Sequence, residues 1–124
     1  MKTLFCIGEL LIDWISTDID SSLVDSVNFI KKAGGAPGNA AISCNRLGGK
    51  SAFAGKVGND AFGMFLKETL VKEDIDTENL IFSEHPTTFA YVVSKKMAKE
   101  ILFLCVVQMR SEEHTSELQS QFRI

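Results

Sequence analysis

Gly34-Gly35-Ala36-Pro37-Gly38-Asn39 is the stretch of this sequence best suited to hold a ligand. Glycine has no Cβ, so its backbone N–H groups can approach a bound molecule closely. Asn39 adds an amide that both donates and accepts hydrogen bonds, which suits a hydroxyl-rich ligand. The small and apolar residues that follow predict a helix whose N-terminus faces the same region. Upstream, Asp13 ends the stretch Gly8-Glu9-Leu10-Leu11-Ile12-Asp13 with a carboxylate that can accept two hydrogen bonds from hydroxyl groups. Taken alone, each feature also admits a plain reading: a glycine turn, and a capping or loop carboxylate.

Other chemistries are excluded by spacing. The glycine loop is not G-x-G-x-x-G, so it lacks the dinucleotide fingerprint. Gly49-Lys50-Ser51 imitates the end of a phosphate-binding P-loop, but the glycine required five positions earlier is Cys44. Lys50 then reads as an exposed residue before a strand. Cys6, Cys44 and Cys105 are far apart, without C-x-x-C spacing, and read as small apolar residues. Asp60 reads as a helix cap, and His85 as a solvated loop residue beside Pro86.

The elements that must position these residues follow from periodicity. Leu4–Ile7 is a short apolar run and predicts a buried strand; Val27–Ile30 predicts another short strand. Three glycines and a proline at positions 34–38 predict an irregular segment from Lys31 to Asn39. A helix is expected over Ala40 to Leu47, stopped by Gly48-Gly49, then a strand at Ser51–Gly55. Phe62, Phe65, Leu66 and Leu70 share one helical face. Residues 74–77 read as a loop, Leu80-Ile81-Phe82 as a weaker apolar run, and 87–94 as strand with Phe89, Tyr91 and Val93 on one face. Alternating strands and helices point to an α/β fold with parallel pairing.

Composition agrees with one modest domain. The 124 residues are 45% hydrophobic with a net charge of -3. No basic stripe suggests nucleic-acid binding, and no apolar run is long enough to cross a bilayer as a helix. The expected location is the cytoplasm.

Four stretches carry a resemblance: Gly8–Asp13, Gly34–Asn39, Leu47–Asp60, and Phe62-Gly63 with Leu66. In order and spacing they resemble the N-terminal signature of the ribokinase/PfkB carbohydrate kinases, and its fructokinases in particular. The resemblance covers residues 3 to about 94. It implies the N-terminal part of a three-layer αβα domain. A small β-sheet lid would be built from strands near 15–17, 27–30 and 89–94. It implies that Asp13, Gly34, Gly35 and Asn39 bind the sugar, and that Gly55, Gly58 and Gly63 serve turns and close packing. ATP and Mg2+ belong to the full-length enzyme; its aspartate base sits in a C-terminal G-A-G-D motif that this sequence lacks. The resemblance implies a homodimer through the lid. The related alternatives are kinases of ribose, 2-keto-3-deoxygluconate or nucleosides, and a non-catalytic sugar-binding fragment.

The C-terminal end reads differently. Residues 110–124 resemble the translation of a sequencing adapter, not a natural domain. Residues 95–109 read as a frameshifted continuation, since loss of one adenine near Lys95-Lys96-Met97 displaces a string of the kind this family carries. Residues 1–94 are therefore expected to be the kinase part.

Overall fold

The computed structural model describes residues 2–95 and the backbone of a short strand at 106–107. The expected boundary near residue 94 and both C-terminal readings lie largely outside the described residues, as does Cys105.

The chain begins with β1 (Thr3–Ile7), then β2 (Leu11–Ser16) and β3 (Phe29–Gly34). Helix α1 (Ala36–Arg46) follows, then β4 (Lys50–Gly58), α2 (Ala61–Lys72), β5 (Asp76–Ser83), β6 (Phe89–Val92) and β7 (Val106–Val107). Two sheets result. One has the order β1-β4-β5, all parallel; the other has the order β3-β2-β6-β7. In the second sheet β2 runs antiparallel to β3 and parallel to β6.

The parallel sheet grows in one direction, from β1 through β4 to β5. Right-handed crossovers in one direction place their helices on one face. The core agrees: Ala41 of α1 and Leu66 and Leu70 of α2 share one cluster with Cys6, Phe53, Val57 and Leu80. The described residues thus supply two of the three layers of an αβα domain. On the opposite face Phe5 remains 48% exposed.

The glycine segment is more regular than the sequence suggests. Lys31–Gly34 continue β3, and Ala36–Asn39 already form the first turn of α1. Pro37 permits this, because a proline in the first helical turn lacks only an N–H that has no helical acceptor there. The irregularity shrinks to Gly35, whose φ of 103° belongs to glycine.

Two further boundaries move. β5 starts at Asp76, so the loop expected at 74–77 reduces to a tight turn with Asp74 at φ 62°. Its first residues are polar because β5 is an edge of its sheet among the described residues. The strand at 87–94 is Phe89–Val92, which leaves Val93 outside it; its buried face is Ala90 and Val92.

Helix α2 does two jobs with its single apolar face. Leu66 and Leu70 are fully buried in the core. Phe62 and Phe65 instead meet the second sheet. Trp14 of β2, Phe89 of β6 and Phe62 pack edge to face with centroids 5.0–5.9 Å apart. The Lys31 ammonium lies 4.0 Å from the centre of the Phe65 ring. These contacts fix the second sheet against the first and hold β2 in place.

Asp60 caps α2 as expected, accepting from the Gly63 N–H at 2.8 Å. It also accepts from the Thr87 N–H at 2.9 Å and hydroxyl at 2.7 Å, tying α2 to the segment that enters β6. Burial pushes its carboxyl up, but the bonds from Thr87 and the helix start outweigh this, and the net shift is down. Such a carboxylate adds stability above its unfolded value, and that stability is lost as acid protonates it in the folded protein. At the other end of the helices, Asn45 donates to the carbonyls of Glu73 and Asp74 and accepts from Ser51.

Candidate functional site

The candidate residues come from three adjacent pieces of chain: the β1–β2 connection, β2 itself, and the end of β3 running into α1. The C-terminal end of β1 lies beside β4, with the Gly8 N–H donating to the Ala54 carbonyl at 3.1 Å. Gly8 has a φ of 145°, and a Cβ on it would fall 2.8 Å from the Pro37 ring. The turn between β1 and β2 is thus folded onto the start of α1. Ligand crevices of open α/β sheets form at such carboxyl ends of parallel strands.

Register then brings Asp13 to the loop. Leu11 pairs with Gly34 and Asp13 with Lys32 across the antiparallel ladder, so Asp13 and Gly34 are diagonal neighbours on one face. They are close enough that a Cβ on Gly34 would overlap the Asp13 carboxylate, 2.6 Å from its Cγ. Gly34 is glycine because that carboxylate occupies the space. A Cβ on Gly35 would collide with the Glu9 carbonyl oxygen.

Asp13 is half-buried, and desolvation alone holds its carboxyl above the ordinary aspartate value. It accepts no hydrogen bond among the described residues, and so neither caps a helix nor stabilises a turn. A carboxylate that is partly desolvated and has no donor is prepared to receive hydroxyl groups.

Asn39 lies in the first turn of α1. Its N–H donates to the Gly35 carbonyl at 2.9 Å, and the residue is exposed. The cap residue Gly35 has no side chain to bond the first-turn N–H groups of α1. Those donors stay open to a ligand. The structure therefore brings Asp13 into direct contact with Gly34, sets Gly35 against the Glu9 carbonyl, and places Asn39 one turn further along.

The remaining expected residues take structural positions. A Cβ on Gly58 would meet Asp60 and Thr87, one on Gly63 would meet the Gly58 carbonyl, and one on Gly55 would meet the Gly8 carbonyl at 2.6 Å. Lys50 is exposed at the start of β4. His85 is half-buried, not fully solvated, and its N–H donates to Ser83 Oγ at 3.0 Å. Burial, and secondarily the nearby Cys44, raises the Cys6 thiol, as befits a small apolar residue. Sequence reasoning assigned nothing to Glu9. Its place between Gly8 and Leu10 was visible; the burial of its Oε1 and the contact of its carbonyl with Gly35 were not.

Among the described residues no helix is long and apolar enough to cross a membrane. No group of three or more His, Cys, Asp or Glu among them could hold a metal ion.

Comparison with known proteins agrees with this fold. Residues 1–122 match the model of the pfkB family carbohydrate kinases. Fructokinase-2 of Oryza sativa subsp. japonica is 41% identical over 97 residues, covering 78% of this chain and 29% of the relative. A sugar kinase of Pyrococcus horikoshii, solved in complex with ATP, superposes with a TM-score of 0.75 at 39% identity. That match covers 87% of this chain and 35% of the other. Fructokinase of Vibrio cholerae O395, in its fructose, ADP and calcium-bound form, gives 0.69 at 33% identity, over 90% of this chain and 34% of the other. The chain spans about a third or less of the length of each. The two-sheet α/β architecture is accordingly that of a known group, and the chain belongs to the pfkB family of carbohydrate kinases.

Proposed function

We propose that the full-length protein transfers the γ-phosphoryl group of ATP to a hydroxyl of a sugar, with fructose preferred, and that these residues build the sugar side of its site. The carrying observation is the Asp13 carboxylate, half-buried and without a donor, lying over Gly34 beside the open start of α1.

In such a transfer a sugar oxygen bonds to the γ-phosphorus, the bond to the β-phosphate oxygen breaks, and the hydroxyl proton passes to a base. ADP leaves. Asp13 accepts hydrogen bonds from sugar hydroxyls and fixes the ring, while Gly34 and Gly35 let the backbone come close and Asn39 adds a donor and an acceptor. This orientation lowers the entropic part of the barrier. The base, the ATP site and Mg2+ are assigned to the part of the protein outside these residues. The solved relatives holding ATP, or fructose with ADP and calcium, support ATP and a metal ion as partners of the full-length protein. The kinase part is taken as residues 1–94, with 95–124 non-native, and the protein as cytoplasmic without nucleic-acid partners. Ile19, Val24, Val27 and Ile30 around the β2–β3 connection are 60%, 93%, 80% and 40% exposed, which supports a homodimer through this sheet.

A substrate panel tests the reading. The full-length protein is expected to show kcat/KM for fructose about ten-fold or more above ribose, nucleosides and 2-keto-3-deoxygluconate. The 124 residues alone are expected to show no sugar-dependent ATP turnover. A preference for ribose or a nucleoside would overturn the substrate, and turnover by the isolated chain would overturn the division of the site.

A further inference from the structure

Thr87 lies in the segment that enters β6 and is buried although polar. Its hydroxyl donates to Asp60 Oδ1 at 2.7 Å and accepts from the Gly58 N–H at 3.0 Å. Its own N–H donates to the other Asp60 oxygen at 2.9 Å. One residue thus joins the end of β4, the start of α2 and the entry to β6. The packing around it is close, since a Cβ on Gly58 would collide with the Thr87 nitrogen. The next residue carries the link to the candidate site. The Thr88 carbonyl accepts the Ile12 N–H at 3.0 Å, and the parallel register then sets Ile12 beside Phe89 and Asp13 beside Ala90. Capping α2 requires only that Asp60 accept from the first helical turn, as it does from the Gly63 N–H. The bonds to Thr87 go beyond that task, and they lead to the strand that carries Asp13.

We propose that Thr87 is a positioning residue for the sugar site. Held by Asp60 and Gly58, it fixes Thr88 against β2, and so fixes the place from which the Asp13 carboxylate meets a sugar hydroxyl. Every group in this link belongs to the described residues. The assignment rests on the sugar-kinase reading above. Wild-type sugar-dependent turnover and its loss in Asp13→Asn, measured first, separate failure of that reading from failure of this one.

The experiment compares Thr87→Val and Thr87→Ser in the full-length protein, each alone and combined with Asp13→Asn. Steady-state kinetics are run on fructose and ATP, with thermal melting alongside. Thr87→Val keeps the size of the side chain and removes its hydroxyl. It is expected to raise KM for fructose about ten-fold, because a shifted β2 misplaces Asp13, and to leave KM for ATP unchanged. Thr87→Ser keeps the hydroxyl and should recover most of the loss. On the Asp13→Asn background, Thr87→Val should cost less than about two-fold more, since residues acting through one another are not additive. A lower Tm with both KM values unchanged would mean a merely structural role and overturn the proposal. A ten-fold loss that persists in full on Asp13→Asn would act elsewhere than through Asp13 and also overturn it. If Thr87→Val does not fold, Asp60→Asn is put through the same cycle and decides by the same criteria. Asparagine still caps the helix, but its amide replaces one of the oxygens that hold Thr87.

Discussion

Asp13→Asn in the full-length protein is expected to lower kcat/KM for the sugar by about 100-fold, and Asp13→Ala by about 1,000-fold, with ATP KM little changed. The larger loss corresponds to about 4 kcal/mol, the scale of two hydrogen bonds to a charged acceptor. Asparagine keeps one accepting oxygen and loses the charge, so it retains part of the effect. Stability should move the other way. Burial raises the Asp13 carboxyl above its ordinary value, so the folded protein holds a proton there more tightly than the unfolded chain does. At neutral pH this group therefore destabilises the fold, and the penalty is relieved as pH falls through its raised value. Asp13→Asn is expected to melt no lower than wild type. Sugar kcat/KM should decline as acid protonates Asp13, at a pH raised from the ordinary aspartate value by its burial, and this limb should be missing in Asp13→Asn. An active Asp13→Ala, or a large fall in Tm with Asp13→Asn, would contradict the role.

The glycine pair separates fold from function in a second way. Gly35→Ala must place a Cβ against the Glu9 carbonyl at a φ of 103°, in the region that disfavours side chains. The Glu9 carbonyl and the Leu10 Cα behind it are backbone, and neither can swing aside. The expected cost is about 3 kcal/mol, combining strain with displacement of the β1–β2 turn. Gly34→Ala meets a side chain instead, with its Cβ 2.6 Å from Asp13 Cγ. The carboxylate can rotate away, so stability should fall by less, about 1 kcal/mol. Sugar kcat/KM should fall about as far as in Asp13→Asn, because the rotated carboxylate no longer meets the hydroxyls. Denaturant melts and sugar kinetics on the two variants check this. Equal stability losses, or a fully active Gly34→Ala, would count against the geometry.

The sequence made the site partly legible, for identifiable reasons. Gly34, Gly35 and Asp13 could be singled out because glycines and a carboxylate after an apolar run have few uses. Their mutual contact could not, since it depends on the Leu11–Gly34 register of a hairpin whose loop runs from 17 to 28. That loop is fixed by Asp18, which accepts from the Val27 and Asn28 N–H groups at 2.6 and 2.9 Å. No periodicity announces such a link.

The misplaced boundaries have a similar origin. Lys31 and Lys32 read as loop because exposed edge strands carry charge. Pro37 and Gly38 read as helix breakers, although proline suits a first helical turn and a Cβ on Gly38 would fall 2.6 Å from Leu10 Cδ1. Asp76 and Thr77 read as loop because the edge of a sheet needs no apolar residues. The helix α2 was clearest, since Phe62, Phe65, Leu66 and Leu70 fall on one face; that this face divides between the core and Trp14 was not encoded locally. Glu9 escaped notice because a single glutamate in a turn carries no pattern until its burial is seen.

The most direct measurement is a crystal structure of the full-length protein with fructose. The account predicts an Asp13 carboxylate oxygen about 2.7–3.0 Å from a sugar hydroxyl, with the ring against the Gly34-Gly35 backbone. Fructose bound elsewhere, with Asp13 still lacking a donor, would contradict it.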